Sequence, residues 1–191
     1  DDYSIDLKDL KKKITKKTKV IIPVHMLGVS VRYKEIRKIS KYYNIKILED
    51  NCESLMGKYG SSFLGTIGDV GALSLDFGKF ITTGEGGFIV TNNSKIAKYC
   101  NEYHDHGHEN NPKLSRGKDT KKIFGFNYRM TEIQAVIGKE QIKKLNRIYT
   151  ESKKRYLVLD KKIDKIIIKR EIPKNSTPNY DTFIFFIKDM K

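Results

Sequence analysis

Two short apolar runs with an amphipathic helical stretch between them restrict this chain to a layered α/β arrangement. Val20-Ile21-Ile22-Pro23-Val24 is the first run, and Ile45-Lys46-Ile47-Leu48, continuing into Glu49-Asp50, is the second. Both have the length and the β-branched content of buried strands. Between them, Ile36, Ile39 and Tyr43 recur on one face of a helix over Tyr33 to Tyr43, and Asn44 ends it. A strand–helix–strand unit predicts parallel neighbours joined by a right-handed crossover.

The pattern continues downstream. Val70 to Leu75 and Phe88 to Thr91 are further apolar strands, and a helix is expected from about Ser94 to Tyr103. His104 to Lys122 is polar, has no period and contains Pro112, so it reads as a long functional loop. A helix then begins at Thr131, which has capping-box spacing to Gln134, with Ile133, Ile137, Ile142, Leu145 and Ile148 approximating its apolar stripe. Beyond Asp160 the pattern shifts to short strands, Ile166 to Ile168 and Thr182 to Lys188, around a Pro/Asn/Ser turn. That shift divides the chain into residues 1–150, a large α/β domain, and 151–191, the start of a second one. The chain opens on Asp1 rather than Met and ends soon after a strand-like run, so it reads as part of a longer protein.

Composition excludes several classes. A hydrophobic fraction of 38% beside a charged fraction of 32% fits a globular protein, not a disordered one. No apolar run approaches the roughly 18 residues of a membrane span, and no charged-then-apolar leader opens the chain, so a cytoplasmic location is expected. Cys52 and Cys100 lack metal-ligand spacing and read as free thiols. A net charge of +15 invites a nucleic-acid reading, but only seven of the 38 basic residues are arginine and the lysines are spread along the chain. The densest run, Lys8 to Lys19, carries Leu7, Leu10 and Ile14 at helical spacing and reads as a solvated helix face.

Two residues stand where chemistry is expected. Asp50 follows the second strand, at the carboxyl end where ligands gather in parallel sheets; a helix N-cap or a loop ion pair would equally explain it. Lys79 is one of 31 lysines, but it follows a strand end and precedes Thr83-Gly84-Glu85-Gly86-Gly87, whose glycines let backbone pass close to a ligand. The plain alternative is a hairpin loop with a solvated lysine.

Six segments in order carry a resemblance: Val24-His25-Met26-Leu27-Gly28, Leu48 to Glu53, Gly65-Thr66-Ile67-Gly68-Asp69, Ser74 to Lys79, Thr83 to Gly87, and Gly125 to Glu132. Together they resemble the DegT/DnrJ/EryC1/StrS family of sugar aminotransferases. The resemblance implies a fold-type I pyridoxal phosphate-dependent transferase, with a mostly parallel central sheet flanked by helices and the start of a smaller C-terminal α+β domain. It implies that Lys79 forms the Schiff base with pyridoxal 5'-phosphate and Asp50 pairs with the pyridine nitrogen. It further implies that Ser74 contacts the phosphate and Asn127 reaches the cofactor of a neighbouring subunit, hence a homodimer with shared active sites. Glu53 occupies a cofactor-contacting position where the family usually has His or Gln near the phenolic oxygen. Asp76-Phe77-Gly78 replaces the common His-Pro-x before the lysine. One branch of the family has His instead of the lysine and dehydrates its substrate; Lys79 argues against that branch.

The expected reaction moves an amino group, with glutamate as donor, to a keto-sugar, often nucleotide-linked, for surface polysaccharide or amino-sugar synthesis. The loop Tyr103 to Glu109, with Arg116-Gly117, is similar to one in the transaminase that makes 8-amino-3,8-dideoxy-manno-octulosonate, where His and Arg would meet a carboxylate. Its three alternating histidines also suit a metal, though no further ligands accompany them, and no metal is expected. A non-catalytic relative binding the cofactor or another anion, and a basic nucleic-acid module, are the alternatives of other classes.

Overall fold

The computed structural model describes residues 3–163 and 167–187. α1 (Leu7–Lys13) starts at Asp6, whose carboxylate accepts from the backbone N–H groups of Lys8 and Asp9 at 2.7 and 3.1 Å. Its lysines face solvent, while Leu7, Leu10 and Ile14 lie half-buried against the core. β1 (Val20–Ile21) is shorter than the apolar run predicts. Pro23 has no N–H to give the ladder, and Val24 contributes one isolated bridge to Asp50. α2 (Tyr33–Tyr43) has the expected limits, and Asn44 closes it at φ 51°, a left-handed conformation that Asn tolerates better than most residues.

β2 (Lys46–Asp50) returns beside β1 in parallel, with Ile21 opposite Ile47. Ile21, Val31, Tyr33, Ile36, Ile39, Ile45 and Ile47 form one buried cluster between α2 and the sheet. Full burial of an isoleucine such as Ile36 contributes about 2 kcal/mol. β3 (Lys58–Tyr59) and β4 (Ser62–Phe63) form a small hairpin. β5 (Val70–Ser74) then pairs with β2 in parallel, Leu48 opposite Val70 and Asp50 opposite Ala72. β6 (Gly87–Val90) pairs antiparallel to β5, which completes a mixed sheet in the order β1-β2-β5-β6.

α3 (Ser94–Tyr103) also has the expected limits and is capped by Asn93. α4 (Glu132–Lys162) carries the full capping box, with Thr131 and Gln134 bonded in both directions. Its apolar stripe is largely uncovered: Ile133 and Ile142 are 75% and 62% exposed. This single helix runs unbroken across residue 150, and the division into 1–150 and 151–191 is a proposal. β7 (Ile167–Lys169) pairs with β9 (Phe185–Ile187), while β8 (Ser176–Thr177) between them joins the small hairpin through β3. The expected strand ends at Ile166 and Lys188 lie outside the described residues. Among the described residues, no helix is long and apolar enough to cross a membrane.

Candidate active site

The period of two along β2 sorts its residues between two environments. Ile45, Ile47 and Glu49 are buried against the core, whereas Leu48 and Asp50 share the other face. The strand end is fixed by backbone: Asp50 N–H donates to Pro23 O at 3.0 Å, and Asp50 O accepts from His25 N–H at 2.9 Å. The Asp50 carboxylate accepts from the backbone N–H of Cys52 at 3.1 Å. Burial, with the Asp50 carboxylate beside it, pushes the Cys52 thiol up to about 11, so it is not a nucleophile at neutral pH.

Ser74 ends β5, and its hydroxyl accepts from Asp76 N–H at 3.2 Å, starting the turn that carries Lys79. Lys79 N–H donates to Asp76 O at 3.1 Å, and Thr83 N–H returns to Leu75 O at 2.9 Å. The Lys79 side chain is one-quarter exposed, and its Nζ lies 4.0 Å from Glu53 Oε1. The other Glu53 oxygen accepts from Leu27 N–H at 3.1 Å. Leu27, Cys52, Glu53, Ser74, Lys79 and Asp181 line one cavity of about 190 Å³.

The fold thus brings Glu53, Ser74 and Lys79 together, with Asp50 bonded to the neighbouring Cys52. Asn127 is not among them. It is exposed, pairs with Asp105 as an isolated bridge, and its side chain accepts from Arg129 N–H at 3.4 Å. A primary amine, a hydroxyl and a nearby carboxylate are the groups that could hold a ligand with an aldehyde, a phosphate and a ring nitrogen.

Sequence reasoning assigned no role to Glu49 or His25. Both are fully buried, with His25 Nε2 2.9 Å from Glu49 Oε2. Val31 N–H donates to His25 Nδ1 at 3.3 Å, so the ring proton is on Nε2 and is given to Glu49. Glu49 also accepts from the N–H groups of Gly65, Ile67 and Gly68 at 2.9, 2.7 and 2.5 Å. Burial by itself raises this carboxyl, but the hydrogen bonds from His25, Gly68 and Gly65 outweigh it and hold the group below the ordinary glutamate value. The signal was present in Ile45-x-Ile47-x-Glu49, which puts a carboxylate on the core face of a strand.

The polar loop is organised by a second carboxylate. Asp105 accepts from Arg116 at 2.8 and 2.5 Å and from Arg129 at 2.6 Å. The Arg116 hydrogen bond holds this carboxyl far below the usual aspartate range, against its burial and with help from Arg129. Of the alternating histidines, His104 Nδ1 lies 2.6 Å from Asn101 O, and His108 Nδ1 lies 3.5 Å from Asp119 Oδ2. Among the described residues, no three His, Cys, Asp or Glu side chains gather as metal ligands.

The profile of the DegT/DnrJ/EryC1/StrS aminotransferase family matches residues 1–189. GDP-perosamine synthase of Escherichia coli O157:H7 is 29% identical over 181 residues, 95% of this chain and 48% of that protein. The E. coli GDP-4-keto-6-deoxy-D-mannose-3-dehydratase structure with bound hydrated PLP superposes with a TM-score of 0.87 at 30% identity, covering 99% of this chain and 52% of that one. Helicobacter pylori PseC, an aminotransferase involved in pseudoaminic acid biosynthesis, gives a TM-score of 0.88 at 26% identity, covering 98% and 50%. The chain spans about half the length of these relatives.

Proposed function

The chain belongs to the DegT/DnrJ/EryC1/StrS aminotransferase family, and on that premise we propose that it is the lysine-bearing part of a pyridoxal phosphate-dependent sugar aminotransferase. The observation that carries this reading is Lys79, in the turn that follows β5 and in one cavity with Ser74 and Glu53. A lysine there supports amino transfer over the dehydration named for one of the relatives. Pyridoxal phosphate, when bound, supplies the electron sink for a substrate carbanion.

The chain's own residues have separable tasks. The Lys79 amine would hold the cofactor and, when free, would accept and return a proton as base and then acid. Asp50 sets a negative charge where a ring nitrogen must stay protonated. The Ser74 hydroxyl serves the phosphate. Glu53 keeps one oxygen on the Leu27 amide and the other toward Lys79, so its charge is directed at a cation. Asn127 lies outside the cavity, which suits the role of reaching a partner subunit's cofactor in a homodimer. The amino acceptor is a keto-sugar and the donor glutamate, in a cytoplasmic step of surface polysaccharide or amino-sugar synthesis. The 8-amino-octulosonate reading depends on Arg116 meeting a carboxylate, and here the Arg116 fork is engaged by Asp105.

The test is direct. The full-length protein supplied with pyridoxal phosphate gains a yellow absorbance band that glutamate discharges, and Lys79→Ala abolishes the band. A wild-type protein that takes up no cofactor overturns the reading. Tight, salt-sensitive binding of DNA or RNA instead would favour the basic-module alternative.

A further inference from the structure

The C-terminal segment reaches the Lys79 cavity by way of a buried asparagine. Asn179 is 1% exposed. Its N–H donates to Gly28 O at 2.9 Å, its amide donates to Glu53 O at 2.9 Å, and its Oδ1 accepts from Asp181 N–H at 3.0 Å. Gly28 makes the contact possible: it sits at φ 87°, and a Cβ there would lie 1.9 Å from Asn179 Oδ1. Between Asn179 and Asp181, Tyr180 adopts φ 64°, an uncommon conformation for an aromatic residue, with its ring against Tyr149 and Tyr156. These contacts fix the backbone of Asp181, whose side chain lines the cavity with Glu53 and Lys79 while remaining open to solvent.

Two carboxylates and one ammonium therefore face a single space. A carboxylate offers only acceptors, so its natural ligands are O–H and N–H groups, and it repels phosphate and carboxylate. Taking the aminotransferase reading as its basis, we propose that Asp181 is a substrate-specificity residue. Its carboxylate accepts hydrogen bonds from the sugar hydroxyls near the reacting carbonyl, and it turns the anionic end of the substrate away from that side. The acceptor is thus a keto-sugar whose reacting end is neutral and hydroxylated, its nucleotide or acid group lying at the far end. The same charge opposes entry of a dicarboxylate donor such as glutamate. Desolvation and the nearby Glu53 charge raise the Asp181 carboxyl, and Lys79 opposes them, as expected for groups sharing one cavity.

The experiment uses the full-length enzyme loaded with pyridoxal phosphate. Glutamate is the donor, and GDP-4-keto-6-deoxy-D-mannose and the 8-keto octulosonate are the acceptor probes. With whichever acceptor the wild type aminates, Asp181→Ala raises the acceptor KM about tenfold with little change in kcat, and it lowers the KM for glutamate. Asp181→Asn retains the lowered glutamate KM and recovers part of the acceptor KM, which separates charge from hydrogen bonding. An unchanged acceptor KM in Asp181→Ala overturns the assignment, as does a fall in kcat alone. A wild type that gains no cofactor band, or aminates neither probe, overturns the aminotransferase reading on which it rests. An intact band and donor discharge with an unmoved acceptor KM sinks only the role of Asp181.

Discussion

Glu49 and Asp105 are both carboxylates with almost no exposed surface, yet they are held in different ways. Glu49 lies inside the sheet and takes three backbone N–H groups and the His25 ring. Asp105 is covered by its own partners, Arg116 and Arg129, whose side chains are 54% and 40% exposed. Backbone donors are fixed once β2 and the Gly65–Gly68 loop are in place, and little extra side-chain freedom is lost to them. Arginine clamps must be ordered from solvent, and salt screens them. The first arrangement suits a strand end that presents Asp50 in one position. The second suits a surface loop whose hold salt can weaken.

The largest expected effect tests the interior half of this contrast. Glu49→Ala leaves His25 Nε2 and three backbone N–H groups without a partner in a closed space. Each such loss costs about 1–3 kcal/mol before relaxation, so a total near 4 kcal/mol is expected. Urea denaturation measures it. A loss below about 1 kcal/mol would mean that water satisfies these donors and that Glu49 does not fix the strand end.

How far the sequence discloses these features depends on whether the signal is local. α2 and the start of α4 were legible because Asn44 and the Thr131–Gln134 box act within one turn of the helices they bound. The direction of β6 was not legible, since an apolar run has no polarity and only the Gly84–Gly87 turn returns it antiparallel to β5. β1 is shorter than its run because Pro23 interrupts pairing, and the α4 stripe lies open because amphipathic spacing does not say what covers a face. In the site, Asp50 and Ser74 sit at strand ends and Lys79 in the turn after one, where a strand reading finds them. Asp105 was obscured by the histidines around it. Asp181 is brought in by contacts that span more than a hundred residues, from Asn179 to Gly28 and Glu53, and no local pattern announces such a contact.

A milder substitution adds pH to the comparison. Glu49→Gln keeps the shape but turns one acceptor oxygen into a donor facing other donors, for an expected loss of about 2 kcal/mol at neutral pH. Because the folded Glu49 carboxyl lies below its ordinary value, its stabilisation is present above that value and is lost as pH falls through the folded one. The gap between wild type and Glu49→Gln should therefore narrow on acidification below the ordinary glutamate range. A gap independent of pH down to that point and beyond would show that Glu49 is not ionised in the fold.

The smallest expected effect belongs to the loop. Asp105→Asn removes the charge that both arginines share, and with those arginines half in solvent the loss of global stability is about 1 kcal/mol. Its location is more telling than its size. The Asp105–Asn127 bridge and the bond from Phe126 N–H to Tyr103 O hold the loop to α3, so amide exchange should quicken at His106 and Phe126 while the β2 amides are unchanged. Raising ionic strength from about 0.05 to about 0.5 M shortens the screening length and should shrink the gap between wild type and Asp105→Asn, leaving the Glu49→Gln gap intact. Acid acts in the same direction. Arg116 and Arg129 hold the Asp105 carboxyl below its ordinary value, so its contribution survives through the usual aspartate range and disappears only as pH falls further. If salt moved both gaps equally, the distinction between a strand end fixed by backbone and a loop held by releasable side chains would not stand.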